Sequence, residues 1–179
     1  MKKILIIIIA LSVCFAAFSQ EVEHKKSTAS NELRLNVLTT VALFPEITYE
    51  RCFANDFGVG LSAAVALGGD IDVGNEVYTY QITPFFRFYF GSKPSSGFFI
   101  ETNMSLIGLK YTYTIFYPSY YYSPGYSYSD NTAAFGLGFS VGYKYFNTRN
   151  LVGELYAGVG RTFGDMAYPR VGISLGVRL

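Results

Sequence analysis

The chain has 179 residues, of which 50% are hydrophobic and only 15% are charged, against about 25% charged in an ordinary soluble domain. Its 14 Lys and Arg and 13 Asp and Glu residues nearly balance, which excludes general electrostatic attraction to nucleic acid. No segment after the N-terminal region is apolar for long enough to form a membrane helix. High apolarity without such a helix indicates transmembrane β-strands, whose apolar residues occupy alternate positions.

The first 19 residues have the pattern of a secretory signal peptide. Two lysines precede the apolar run ILIIIIALSVCFAAF, and small residues at Ala17 and Ser19 predict cleavage after Ser19. The run is too short to span a membrane comfortably as a helix. Residues 20–31 are polar and are predicted to be a mobile lead-in segment. Residues 32–179 are predicted to form the folded domain.

Bulky and small residues alternate along the rest of the chain. FGVGLSAAVAL, AFGLGFSVGYKYF and RVGISLGVRL each place large apolar residues at every second position, and YTYQITPFFRFYF places Tyr78, Tyr80 and Ile82 on one face. This period of two is typical of β-strands with two different faces. It predicts eight strands, at about 33–43, 46–54, 57–68, 76–90, 97–112, 131–146, 151–163 and 168–179.

The bulky face of these strands is predicted to meet lipid. An eight-stranded barrel has an interior just wide enough for side chains to fill, so the many Phe and Tyr residues of this face do not fit inside. The other face is mostly Gly, Ala and Ser, without the Lys and Glu of a soluble exterior. The predicted fold class is therefore all-β, an eight-stranded antiparallel transmembrane β-barrel in an up-and-down meander.

The predicted connections also alternate in length, as in bacterial outer-membrane barrels. The predicted periplasmic turns are residues 54–56, 91–96 and 147–150, and the predicted outer loops are residues 44–45, 68–75, 113–130 and 164–167. Localisation in the bacterial outer membrane follows from this arrangement together with the signal peptide.

Seven charged residues on the small faces fall near the predicted periplasmic end of the barrel. They are Arg34, Glu50, Arg87, Glu101, Lys144, Glu154 and Arg178. Enclosed charges are costly unless paired, and the signs alternate around the barrel except at the third strand, which offers only glycines at that depth. The predicted cross-strand pairs are Arg34–Glu50, Arg87–Glu101 and Lys144–Glu154. These pairs predict a plugged interior, while the outer half of the lumen is either a wet cavity or filled by bulk such as Phe85 and Tyr89.

The residues do not form a catalytic or metal-binding constellation. A Ser–His–Asp triad needs a histidine on the scaffold, and the sole histidine, His24, lies in the polar lead-in segment. Cys52 lacks a histidine partner and is predicted to be an inert packing thiol. The GVG and GLG triplets lie inside predicted strands without a following helix, so they are not phosphate-binding loops. We therefore predict no enzyme activity, no cofactor and no metal.

The tyrosine-rich stretch YPSYYYSPGYSYSD, residues 117–130, lies in the longest predicted outer loop. Its candidate recognition residues are Tyr117, Tyr120, Tyr121, Tyr122, Tyr126 and Tyr128. Two interpretations are open: an interfacial belt with rings at the lipid headgroups, or a recognition surface for a glycan or a protein. Stacking on single-stranded nucleic acid needs accompanying Arg and Lys, which residues 111–130 lack. Nucleic acid is therefore not a predicted partner.

Four segments carry a family resemblance: PEITYERCFANDFGVGLSAAVALGG, TPFFRFYFGSKPSSGFFIE, FGLGFSVGYKYF and LVGELYAGVGRTFG. With them, residues 32–179 resemble small outer-membrane β-barrel proteins of Bacteroidetes-type bacteria, in the superfamily that includes OmpX-like barrels. The steps from Pro45 to Glu50 and from Arg87 to Phe99 are its most specific parts. The resemblance implies assembly through a hydrophobic C-terminal strand, with outer-membrane lipid and the barrel-assembly machinery as partners. Many members of the family are uncharacterised.

The function predicted first is a non-enzymatic envelope-structure or adhesion protein, presenting surface loops from a monomeric barrel. The alternative is a narrow transporter or small-ligand-binding barrel that uses the outer half of the lumen. A soluble periplasmic binder of the lipocalin type comes third. Solute flux separates the first two, because a barrel plugged by paired charges passes no solute.

Overall fold

The computed structural model describes residues 30–53, 56–67, 71–73, 76–91, 94–115, 126–147, 150–164 and 166–179. At residues 71–73, 76, 111–115 and 126–129 it describes the backbone alone. The predicted signal peptide, its cleavage site and residues 20–29 lie outside the described residues. The first strand begins at Ser30, so it includes the last two residues of the predicted lead-in segment.

The described residues contain nine strands and one short helix. They are β1 (Ser30–Asn36), α1 (Val37–Val41), β2 (Glu46–Phe53), β3 (Phe57–Val65), β4 (Ile71–Val73), β5 (Glu76–Tyr89), β6 (Gly97–Ile115), β7 (Tyr126–Phe146), β8 (Leu151–Thr162) and β9 (Ala167–Arg178). In this part of the chain no helix has the length and apolarity needed to cross a membrane.

Eight of the strands close into a barrel. Strand β1 pairs with β2, β2 with β3, and β3 with β5, and β5 to β9 then follow in chain order. The ring closes where β9 pairs with β1, and every pairing is antiparallel. The short β4 pairs with the start of β5 as a side extension. The predicted eight-stranded antiparallel meander is therefore confirmed.

The two ends of the barrel differ. The end that we call the terminal end carries the start of β1, the end of β9, and the connections from β2 to β3, β5 to β6 and β7 to β8. The opposite end, the loop end, carries α1 and the connections that follow β3, β6 and β8.

Burial alternates along the strands and separates two faces. In β2, Glu46, Thr48, Glu50 and Cys52 are buried in the interior, while the residues between them face outward. Large apolar side chains occupy the outward face of all eight barrel strands, for example at Leu33, Ile47, Leu61, Phe86, Met104, Phe139, Leu155 and Leu175. The prediction that the bulky face points outward is confirmed.

The first predicted strand, 33–43, is wrong in its second half, because the chain leaves the sheet at Asn36. The Asn36 side chain accepts a hydrogen bond from Thr39 N at 3.4 Å and caps α1. The hydroxyls of Thr39 and Thr40 donate back to Asn36 O at 3.3 and 2.6 Å. These local hydrogen bonds compete with the strand ladder and favour a helical turn.

A β-bulge changes the faces of β5 near the loop end. The pairing of β5 with β6 shifts between Tyr78 and Tyr80, which leaves Thr79 as the extra residue. Beyond the shift Tyr78 turns inward and is only 5% exposed. Placing Tyr78 on the same face as Tyr80 by simple alternation was therefore wrong.

Candidate functional site

The barrel interior encloses ten charged side chains of the described residues. The anions are Glu32, Glu46, Glu50, Glu101 and Glu154, and the cations are Arg34, Arg87, Lys144, Arg170 and Arg178. We call this set the interior charge network. With five charges of each sign, it has no formal net charge, and each ion has opposite charges nearby to offset its lost hydration. All seven residues predicted from the sequence lie in this network.

Two of the predicted cross-strand pairs are ion pairs in the structure. Arg34 Nη2 lies 2.5 Å from Glu50 Oε2, and Arg87 Nη2 lies 2.7 Å from Glu101 Oε2. All four side chains are fully shielded from solvent. Each pair therefore joins two barrel strands at a buried position.

The third predicted pair is arranged differently. Lys144 and Glu154 are register partners on β7 and β8, but Lys144 Nζ lies 2.9 Å from Glu32 Oε2 and 3.4 Å from Glu50 Oε2. Glu154 pairs instead with Arg87 Nη1 at 2.6 Å. Long side chains reach across the narrow lumen to strands that are not neighbours, because the interior of an eight-stranded barrel is only side-chain wide.

Glu50 is a centre of the network. Its carboxylate pairs with Arg34 at 2.5 Å, Arg87 at 3.1 Å and Lys144 at 3.4 Å, and it accepts a hydrogen bond from the Tyr89 hydroxyl. A carboxylate with this many donors is fully satisfied, so removing it leaves several buried groups without a partner.

Three members of the network were not predicted: Glu32, Glu46 and Arg170. Arg170 Nη1 lies 2.7 Å from Glu46 Oε1, and its Nε lies 2.9 Å from Glu101 Oε1. These contacts extend the network from the terminal end toward the middle of the barrel. The inward orientation of Glu46 could have been predicted from strand alternation, because Glu46 is on the same face of β2 as Glu50.

Aromatic rings fill the space beside inward-facing glycines. A Cβ placed on each of several glycines would overlap a ring from a neighbouring strand, so the missing side chains make room for these rings. The pairs are Gly60 with Phe85, Gly142 with Phe99, Gly172 with Tyr156 and Gly160 with Tyr168. The small inner face is therefore occupied at these positions. Of the two residues predicted to fill the outer half of the lumen, Phe85 takes part in this packing, whereas Tyr89 lies at the terminal end and donates to Glu50.

Arg87 lies between two of these rings. Its guanidinium carbon is 4.5 Å from the Phe85 ring centroid and 4.4 Å from the Phe99 centroid. Such cation–π contacts add to the attraction of the carboxylates around it. The same side chain thus links the charge network to the aromatic filling.

Toward the loop end the interior becomes apolar. Tyr78, Ile107, Leu109 and Tyr168 form a buried cluster, and Phe44 packs against it. On the terminal side of this cluster the hydroxyl oxygens of two buried residues, Thr83 and Ser105, are 2.9 Å apart. The described interior therefore passes from ion pairs through hydroxyl groups to packed hydrocarbon.

Cys52 is buried at the terminal end of β2. Its Sγ lies 3.8 Å from Lys144 Nζ and 3.9 Å from Glu50 Oε1. Among the described residues, no group of three His, Cys, Asp or Glu side chains is arranged to hold a metal ion.

Strands β6 and β7 continue past their neighbours at the loop end. The β5–β6 register ends at Val77↔Lys110 and the β7–β8 register at Gly136↔Thr162, while β6 and β7 pair as far as Ile115↔Tyr126. We call residues 111–115 and 126–130 the ribbon. Tyr126 and Tyr128 belong to it, whereas Tyr117, Tyr120, Tyr121 and Tyr122 lie outside the described residues.

The register assigns the ribbon positions to two faces. Leu109 is buried inside the barrel, and positions 111, 113 and 115 continue its parity along β6. Their partners in β7 are positions 130, 128 and 126. The face continuous with the lumen therefore has the sequence positions of Tyr111, Tyr113, Ile115, Tyr126, Tyr128 and Asp130, and the face continuous with the exterior has those of Thr112, Thr114, Ser127 and Ser129.

No family model matches the chain, and no curated protein matches it. Among solved structures, it is similar to the N-terminal β-barrel domain of OprF from Pseudomonas aeruginosa, with a TM-score of 0.48 and 13% sequence identity over 84% of this chain and 96% of that chain. The fold assignment of this chain comes from its own strand pairings, and the likeness adds no argument about function.

Proposed function

We propose that the protein is a non-enzymatic, monomeric barrel of the bacterial outer membrane, with a plugged lumen, that presents the ribbon as a recognition surface. The observation that carries the membrane location is the continuous outward apolar face, which has no counterpart on soluble monomers. A closed barrel is also the only β-structure that satisfies its backbone hydrogen bonds within lipid.

The limits of the apolar face fit a membrane-spanning band. Outward charged residues lie near its two ends, with Arg51 toward the terminal end and Lys110 and Arg161 toward the loop end. Between them Leu61, Leu137 and other large apolar residues are exposed. This order, polar to apolar to polar along the barrel axis, is the one that a bilayer requires.

The plugged lumen is supported by the interior charge network and by the rings packed beside glycines. We expect no solute flux when the purified protein is reconstituted into liposomes and swelling is followed in small sugars. Robust swelling would favour the alternative, a narrow transporter or small-ligand binder. Insertion is checked first by a heat-modifiable gel shift on detergent-extracted envelope, because a folded barrel migrates differently before and after boiling.

Recognition is favoured over an interfacial belt by the two faces of the ribbon. A belt at the headgroups needs its aromatic residues on the exterior face, whereas the exterior positions of the ribbon are Thr and Ser and the tyrosines occupy the lumen-side positions. Tyrosine next to small polar residues suits uncharged ligands, such as a surface glycan or a protein loop.

A matched pair of variants tests recognition. In the first, the four ribbon tyrosines at 111, 113, 126 and 128 become serine, and in the second the hydroxyl residues at 112, 114, 127 and 129 become alanine. We expect the first variant to lose binding to polysaccharide or host-protein arrays and the second to keep it, with both inserted normally. If binding is unchanged in the first variant while its insertion suffers, recognition is wrong.

A further inference from the structure

The barrel wall is incomplete between β1 and β9 at the loop end. Their register runs from Glu32↔Arg178 to Asn36↔Ser174, but β9 begins seven residues before Ser174, at Ala167. Within the described chain, the first part of β9 therefore has a strand partner only in β8. The helix α1 follows Asn36 at this place.

We call this junction between β1 and β9 the seam. The Asn36 side chain makes the last hydrogen bonds of the seam, in place of backbone groups of β1. Its Nδ2 donates to Val171 O at 3.2 Å, and its Oδ1 accepts from Ile173 N at 3.3 Å. Pro169 has the same parity in β9 as Val171 and Ile173, so its nitrogen faces the same edge and offers no N–H there. Because β1 does not pair with β9 at this position, the proline removes no hydrogen bond between strands. It also leaves one fewer unsatisfied N–H group on the open edge.

The surface next to this seam is apolar and uncovered. No residue of α1 is buried, and Val41 is 74% exposed. Leu43 and Leu67 are 55% and 68% exposed, and a hydrogen bond from Leu67 N to Leu43 O at 2.9 Å holds them together. The sequence of α1, VLTTV, carries no charged side chain. We call α1 with Leu43 and Leu67 the seam patch.

Two features identify what covers the seam patch. It continues the outward apolar face of β1, on which Leu33 and Leu35 are exposed, so it is joined to the surface already assigned to lipid. Across the barrel the outward positions at the same end are polar, including Lys110 and Asn131. Hydrocarbon therefore suits the seam patch and not the opposite wall.

We propose that the seam patch is a lipid-binding surface occupied by acyl chains of the leaflet at the loop end, so that the apolar band is taller beside α1 than beside the ribbon. This inference rests on the proposed function, because it needs the barrel to span a membrane. A short apolar helix with no charges fits hydrocarbon at a membrane boundary, where its exposed side chains leave water.

Three variants, each with one added cysteine that carries an environment-sensitive fluorophore, test the proposal. Val41→Cys reports on the seam patch, Asn131→Cys on the opposite wall at the same end, and Leu61→Cys on the middle of the apolar face. Each is reconstituted into phosphatidylcholine vesicles with or without acyl-chain-brominated lipid, which quenches only fluorophores in contact with hydrocarbon. The protein without an added cysteine is the labelling blank, since Cys52 is buried, and Leu67→Cys replaces Val41→Cys if the latter fails the heat-modifiable gel test.

We expect strong quenching at residues 41 and 61 and little at residue 131. If the probe is quenched at residue 61 but as little at residue 41 as at residue 131, the seam-patch proposal is wrong and the proposed membrane location is still supported. A blue-shifted but unquenched probe at 41 would also overturn it, by indicating a protein partner or a second copy on the patch. Absence of quenching at 61 would instead refute the membrane location itself.

Discussion

The carboxylate of Glu50 occupies the space where Gly58 would carry a Cβ. Gly58 is paired in register with Cys52, so the Glu50 side chain leans along the barrel wall to lie over the neighbouring strand. The glycines of the third strand, which interrupt the predicted ring of charges, therefore make room for a carboxylate from β2.

Replacing Gly58 by alanine is expected to destabilise the barrel. The added methyl group overlaps the Glu50 carboxylate and forces it away from Arg34 and Lys144, and overpacking of this kind costs about 1–3 kcal/mol. The free energy of unfolding is measured by urea titration of the protein in vesicles. Gly164→Ala is the matched control, because the nearest atom to its Cβ is Thr162 Oγ1 at 3.9 Å. Equal unfolding midpoints for both variants would contradict the argument.

Neutralising Glu50 tests the charge network directly. Glu50→Gln keeps the shape but leaves Arg34, Arg87 and Lys144 with an excess positive charge in the interior, and breaking a buried ion pair costs about 3–5 kcal/mol. Asp56→Asn removes a carboxylate from an exposed position and serves as the control. We expect a large drop in the unfolding midpoint for the first variant and almost none for the second. A stable Glu50→Gln barrel would mean that the network is not needed for stability.

Two substitutions at Tyr168 separate the contribution of ring packing to stability from that of the hydroxyl hydrogen bond. Its ring fills the space beside Gly160, and its hydroxyl donates to Asn103 Oδ1 at 3.3 Å. Tyr168→Phe loses only the hydroxyl contact, at about 0.5–1.5 kcal/mol, whereas Tyr168→Ala leaves a cavity that costs about 3–5 kcal/mol. The two unfolding free energies are compared in one titration series, and similar losses would show that the ring itself contributes little.

Strand alternation predicted the barrel because an apolar exterior and a narrow lumen impose opposite demands on neighbouring residues. The same rule predicted seven of the ten charges that point inward in the described part of the chain and missed Glu32, Glu46 and Arg170. It did not predict the partners of Lys144, because Glu32 and Glu50 lie on strands that only the closed ring brings near. Which ions pair inside the barrel depends on how the sheet closes into a ring, and the alternation of residues along one strand carries no information about that closure.

The two errors in the predicted local structure, at residues 37–41 and at Tyr78, have a different origin. Residues 37–41 have an apolar composition that a strand also accepts, and the choice of helix depends on Asn36 caps and on contacts with β9. The inward turn of Tyr78 depends on the bulge at Thr79. The bulge lies next to Gly108, where an added Cβ would overlap the Tyr80 ring and lie 2.6 Å from the Thr79 hydroxyl oxygen. The helical turn thus depends on local hydrogen bonds to Asn36 as well as on β9, whereas the inward turn of Tyr78 depends on the pairing of β5 with β6.

Asn36 is expected to be the most sensitive uncharged position at the loop end. Its Nδ2 also donates to Glu46 Oε2 at 2.9 Å and to the Tyr156 hydroxyl oxygen at 3.1 Å. Asn36→Ala removes the side-chain acceptor of Ile173 N, at about 1–3 kcal/mol for an unsatisfied buried group, and one donor from Glu46, which keeps Arg170 and the Tyr156 hydroxyl. Asn36→Asp keeps the acceptor for Ile173 N but sets a second carboxylate against Glu46, so we expect it to be at least as destabilising at neutral pH. Urea unfolding in vesicles measures both, and an Asn36→Asp barrel as stable as the wild type would refute the donor role of this amide.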